Sequence, residues 1–225
     1  MTTGDIPILI NVRDRVRELR KLVAWLEDAG QTNLVLLDNA SSYPPLLAYL
    51  EDSPHTVLSL GENLGARGFL QSAEPEGRFI YTDPDLVPIE DCPTDLVAHL
   101  CELADRYPQY RKIGAGLYLD DVPAGLPCLD WERSLVAPER EMEPGVFASQ
   151  VDTTFALYKE NARFGHEAIR TGYPYQMRHM PWYTTELDDE DAYYLAHAIQ
   201  GDGGTTSWLH LPGKEPHATT AEFAG

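Results

Sequence analysis

Cysteine is scarce in this chain: Cys92, Cys101 and Cys128 stand far apart with no CxxC pair. Neither a zinc ribbon nor a disulfide framework is expected, and the usage fits a reducing cytoplasm. Basic residues are also few, 17 against 36 acidic, giving a formal charge of -19. Most of such a surface repels a phosphodiester backbone, so nucleic acid is not an expected partner. Long apolar runs are missing. No stretch approaches the ~20 residues that a spanning helix needs. The opening "MTTGDIPILINVRDRV" has no basic segment followed by a long apolar one. Neither a transmembrane segment nor a secretion leader is expected from these patterns. Several catalytic signatures are absent too. There is no GxxxxGK followed by Ser or Thr, no GxSxG, and no glycine fingerprint after the first apolar run, where "NVRDRVREL" stands. P-loop, acyl-enzyme and dinucleotide-binding readings therefore lack support.

What is present is ordinary globular composition, 43% hydrophobic and 24% charged, in 225 residues. That is enough chain for one catalytic-size domain with a substantial core. "IPILINV" reads as a buried strand, and Val16, Leu19, Val23 and Leu26 then recur at helical spacing up to Gly30. "TNLVLLDNAS", "HTVLSLG" and "RFIYTD" read as further strands, with a helix over "YPPLLAYLED" between the first two. A helix over "DLVAHLCELADRYP", with Thr94 as its cap, precedes a strand in "YRKIGAGLYLDDV". Residues 122–150 are rich in Pro, Gly and charge and read as a long connection lying over the sheet. "VFASQVDTTFALYK" resumes strand character, and "ELDDEDAYYLAHAI" is a late helix whose acidic start suits its dipole. Alternating buried strands and helices predict an α/β fold with a mostly parallel central sheet and helices on both faces. The last 25 or so residues are polar and glycine-rich and read as a tail over 201–225.

Ligands of such sheets sit beyond the carboxyl ends of the strands. Polar residues gather there: Asp38 and Asn39 after the second strand, "GENLGARG" after the third, and "DPD" after the fourth. Asp83 and Asp85, two positions apart with Pro84 between, project to one side at the rim of an apolar core. Partly desolvated neighbouring carboxylates call for a cation or hydrogen-bond donors. Asp-Pro-Asp is also ordinary turn chemistry, and "GARG" is either a close backbone approach to phosphate or a plain turn.

In this order, "LLDNASS", "LGENLGARGF" and "YTDPDLVP" resemble the nucleotide-sugar-binding half of glycosyltransferases of the GT-A fold, particularly family-2-like members. The resemblance covers roughly the first 90 residues. It implies a single catalytic domain over 1–200, with a donor-binding half over 1–92 and an acceptor half over 93–200. It further implies a nucleoside diphosphate sugar as donor, a hydroxyl acceptor, and Mn²⁺ or Mg²⁺ bridging the diphosphate. Asp38, with Asn39 beside it, would contact the nucleoside. Asn63 to Arg67 would match the family's donor-binding segment after the third strand, with Arg67 a secondary donor contact; Asp83 would lie near the ribose or a metal-bound water, and Asp85 would ligate the metal as the DxD motif's second carboxylate. His179 would be a third ligand, and Arg178 would face the diphosphate.

The second half departs from the family pattern. The usual Glu-Asp pair is missing, and "QVDTTFALY" offers Asp152 alone, as general base, acceptor anchor or a strand-end hydrogen-bonding residue. Inversion or retention at the anomeric carbon is therefore not implied. Trp182 and Tyr183 present either sugar-stacking faces or core aromatics. His166 and His197 read as helix-face residues, and the acidic run from Asp188 to Asp191 reads as a helix start rather than a second cation site. Two other readings stand beside the transferase. A sugar-phosphate nucleotidyltransferase would want a glycine-rich basic loop after its first strand, and a non-catalytic sugar-nucleotide-binding module would keep the sheet without turnover.

Overall fold

The computed structural model describes residues 3–65, 77–126, 128–152, 154–160, 162 and 167–197. The first apolar run is β1 (Ile8–Val12), buried at all five positions. A charged turn leads from it into α1 (Arg17–Asp28), which buries Leu19, Leu22, Val23 and Leu26 along one stripe. Gly30, at φ +77, takes the left-handed conformation that ends the helix. Next come β2 (Leu34–Asp38), α2 (Pro44–Glu51) with prolines in its first turn, β3 (Thr56–Ser59) and β4 (Phe79–Thr82). Strands β3, β2, β1 and β4 lie side by side and parallel. Val12 pairs with Asp38 and Asp38 with Ser59, so the carboxyl ends of three strands form one ledge.

The chain continues through β5 (Leu86–Pro88), α3 (Leu96–Arg106), β6 (Lys112–Gly114), β7 (Gly116–Leu117) and α4 (Leu129–Leu135). It ends, among the described residues, with β8 (Glu141–Glu143), β9 (Val146–Ala148), β10 (Ala156–Tyr158), β11 (Ala168–Thr171), β12 (Gln176–His179) and α5 (Asp189–His197). The large sheet runs β3-β2-β1-β4-β10-β6-β11-β9-β8, and a small one runs β5-β12-β7. β10 enters antiparallel between β4 and β6, so one sheet joins both halves of the chain.

Three expectations change. The strand read in "YRKIGAGLYLDDV" is two strands in different sheets. At Gly116 a Cβ would lie 2.0 Å from the Thr171 carbonyl oxygen, so only glycine lets the backbone pass there and switch sheets. Residues 122–150 are not a connection over the sheet: they contain α4 and the β8–β9 hairpin, and β9 extends the sheet by pairing with β11. α4 is tied down by Glu132, whose carboxylate accepts from buried Arg170 at 2.6 Å. Thr94 does not cap α3: the cap position is Asp95, with no side-chain capping bond, and its carboxylate accepts from the Tyr175 hydroxyl. In the core, α1, α2 and α3 all enter one cluster with Ile8, Ile10, Leu34 and Leu36. The opposite face carries a smaller core of Leu9, Leu37, Phe79, Tyr81 and Tyr158, which no described helix enters. Alternation along each strand separates the two. No described helix is long and apolar enough to cross a membrane. The tail over 201–225 lies outside the described residues.

Candidate active site

The ledge is built by three interlocking turns. Asp14, fully buried and at φ +48, accepts at Oδ1 from the amides of Ser42 (2.6 Å) and Tyr43 (2.8 Å), which binds the turn after β1 to the turn after β2. Aspartate tolerates this left-handed conformation better than most residues. Arg13 donates from Nη1 to the Asn39 carbonyl at 2.8 Å, and Asp38 accepts at Oδ1 from the Ser41 amide at 2.9 Å. The third turn is held by amide side chains: Asn39 accepts from the Leu64 amide and donates to the Gly65 carbonyl, Asn11 donates to the same carbonyl, and Asn63 accepts from the Gly65 amide. Asn39 is 2% exposed, with both ends of its amide engaged in holding the third turn. Arg67 lies outside the described residues.

The Asp-Pro-Asp triplet is a turn between β4 and β5, at the edge of the ledge. Asp83 is half-buried. Asp85 is buried, and its Oδ1 has no hydrogen-bond partner among the described residues. On one side Asp85 Oδ2 stands 3.7 Å from Arg15 Nη1; on the other, Oδ1 stands 3.7 Å from His179 Nε2. Both gaps exceed hydrogen-bond length. Register brings His179 there: β12 pairs antiparallel with β5, setting His179 against Leu86, and the Met180 amide donates to the Asp85 carbonyl at 2.9 Å. Burial pulls the imidazole below its ordinary 6.5, against the opposing pull of Asp85. His179 is therefore neutral near pH 7, with a lone pair to offer. Tyr194 of α5 adjoins this cluster, pushed up to about 12 chiefly by burial, with Arg15, Asp85, Asp83 and Arg13 all acting on it. Asp83 does not join Asp85 and His179 in a three-ligand set: no three His, Cys, Asp or Glu side chains converge among the described residues. The protein offers the pair, and a metal held there would draw its remaining ligands from phosphate and water.

Asp152 is exposed, and its charge acts on His179 and on Lys112, which places it beside the same cluster. Arg178 departs from expectation. Neighbouring strand residues project to opposite faces, and its guanidinium is engaged by Glu90 at 2.8 Å and Asp121 at 2.8 Å, above the Tyr118 ring. It does not face the ledge with His179. Trp182 is a core aromatic, edge-on to His179 at 5.0 Å between centroids. The Tyr183 hydroxyl donates to Asp121 at 2.7 Å. His197 ends α5, stacked on Tyr193, and Asp188 caps that helix by accepting from the Asp191 amide. His166 lies outside the described residues.

Three residues of the cluster were passed over in the sequence. Arg13, Asp14 and Arg15 follow the first strand directly, and the rule that drew attention to Asp38 and Asp83 applies to them as well. Lys112 is the fourth omission, a cation inside an apolar strand whose Nζ donates to the Val151 and Asp152 carbonyls at 2.6 and 2.7 Å.

No family model matches the chain, and no curated protein does. Among solved structures, glucosyl-3-phosphoglycerate synthase from Mycobacterium tuberculosis in complex with phosphoglyceric acid is similar at 13% identity and a TM-score of 0.47, over 71% of this chain and 61% of that one. The same synthase with Mn²⁺, uridine-diphosphate-glucose and phosphoglyceric acid gives the same values. A structure described as a mycobacterial protein follows at 12% identity and a TM-score of 0.44, over 71% and 57%. The chain thus spans about three-fifths of the length of the structures it matches. At such values the functional reading rests on the ledge itself.

Proposed function

We propose that the chain is a metal-dependent glycosyltransferase of GT-A type, moving a sugar from a nucleoside diphosphate donor to a hydroxyl acceptor. The observation that carries this reading is the meeting of buried Asp85 with His179 across 3.7 Å, beside the carboxyl ends of the parallel strands β3, β2, β1 and β4. A carboxylate oxygen without a donor and a neutral imidazole facing it suit a borderline-hard cation such as Mn²⁺, or Mg²⁺ with more water. When bound, the ion supplies Lewis-acid stabilisation of charge on the leaving diphosphate. Asp38 at the end of β2 receives the nucleoside, and Asp83 at half-burial lies toward the ribose. Asp152 takes the proton of the acceptor hydroxyl as that oxygen bonds to the anomeric carbon and the bond to the diphosphate oxygen breaks.

Incubation with a panel of nucleoside diphosphate sugars and Mn²⁺ is expected to release nucleoside diphosphate from at least one of them. Asp85→Asn should lower that release by roughly 10²–10³-fold while the circular dichroism spectrum stays unchanged. Donor binding without release would favour the non-catalytic module, and release that persists in Asp85→Asn would remove the metal assignment.

A further inference from the structure

Arg15 has no place in the reading above. It lies in the turn between β1 and α1, 5% exposed, its guanidinium 4.1 Å above the Tyr194 ring. Its Nη1 stands 3.7 Å from Asp85 Oδ2, and its Nε is buried with no hydrogen-bond partner among the described residues. Arginine does not lose its proton in a protein, so this is a permanent buried cation. Asp85 therefore stands between that cation and the neutral imidazole of His179.

The arrangement sets a condition on metal binding. A divalent ion taking up Asp85 from the His179 side places two further positive charges near a guanidinium that shares the same carboxylate. In a site this dry the repulsion is weakly screened, and Arg15 also loses much of its counter-charge. An anion that reaches both cations relieves the conflict, and a pyrophosphate group has oxygens for both. We infer that Arg15 couples the uptake of the metal to that of the donor's diphosphate, holding off the bare ion and receiving the pyrophosphate when it arrives. This rests on the transferase reading of the ledge. By linkage the coupling is reciprocal: the nucleotide tightens the metal by the factor by which the metal tightens the nucleotide.

The test is Mn²⁺ titration followed by electron paramagnetic resonance of the free ion, with and without uridine, guanosine, adenosine or cytidine diphosphate. It is run on the wild type, on Arg15→Gln, and on Arg15→Met, whose stem still packs over Tyr194. The wild type should bind Mn²⁺ at least about tenfold more tightly with one of the nucleotides than without. In the variants the bare ion should bind about tenfold more tightly than in the wild type, and the nucleotide enhancement should shrink by a similar factor. Folded variants that bind the bare ion no better, or keep the full enhancement, overturn the inference. Should neither variant fold, the wild type decides alone, since equal Mn²⁺ affinity with and without nucleotide also overturns it. A wild type that binds no Mn²⁺ under any condition defeats the transferase reading instead, which separates the two failures.

Discussion

Lys112 shows how a single side chain can tie stability to the site. It is fully buried on β6, paired with Tyr158 and Ala168 on its neighbours, with Nζ 4.8 Å above the Tyr158 ring. Its bonds to the Val151 and Asp152 carbonyls hold the backbone from which the candidate base projects. Burial pulls its pKa from 10.5 down to about 7, while Asp152 and Asp83 pull up and Arg170 pushes down. Between about 7 and 10.5 the unfolded chain therefore binds a proton that the native state does not, and stability from this group rises with pH. Below about 7 both states are charged and the full cost of burying the cation remains. Urea unfolding at pH 6, 7.5 and 9 should show the wild type gaining stability relative to Lys112→Met as pH rises. A difference that stays flat would show that the cation is not disfavoured there.

At the scale of elements, α5 completes α1. The first turn of α1 has no cap of its own, because Val16 stands at the cap position without a side-chain acceptor. Glu190 supplies one, its Oε2 accepting from the Val16 amide at 2.8 Å and the Arg17 amide at 3.1 Å. A carboxylate at that end also meets the positive pole of the helix. The same helix brings Tyr194 under Arg15 and Tyr193 against Tyr43, so α5 closes the side of the ledge. Glu190→Ala should cost about 2 kcal/mol of unfolding free energy, from the lost cap and its charge-assisted bonds, measured in urea at pH 7. A loss under about 0.5 kcal/mol would mean that water replaces the cap. The sequence marked α5 by its pattern and its acidic start, and Asp188 does cap it. Nothing in that pattern shows that Glu190 serves a different helix.

The whole molecule carries a formal charge of -19 around a ledge lined by Arg13, Arg15 and the two carboxylates. An anionic nucleotide approaching without a cation meets a repulsive long-range field, which salt screens over ~10 Å at 0.1 M. Affinity for metal-free nucleoside diphosphate, followed by calorimetry, should rise severalfold between roughly 10 and 150 mM ionic strength. A fall would mean that the local arginines outweigh the global field.

On that scale, local pattern by itself determined the strand–helix alternation through α3 and the positions of Asp38, Asp83 and Asp85, because apolar periodicity and strand ends are properties of neighbouring residues. The two- and three-residue strands of the second half escaped it, since so short a segment contains no period, and β8 and β9 sit in a stretch rich in proline, glycine and charge. Only the tertiary structure decided that His179 meets Asp85 while Arg178, its neighbour, turns to Glu90 and Asp121. One residue of register between β5 and β12 would exchange their faces, and register is set by pairing between segments far apart in the chain. The burial that makes Arg15 and Lys112 consequential is likewise a property of the packed whole, because a cation's cost depends on the water removed around it.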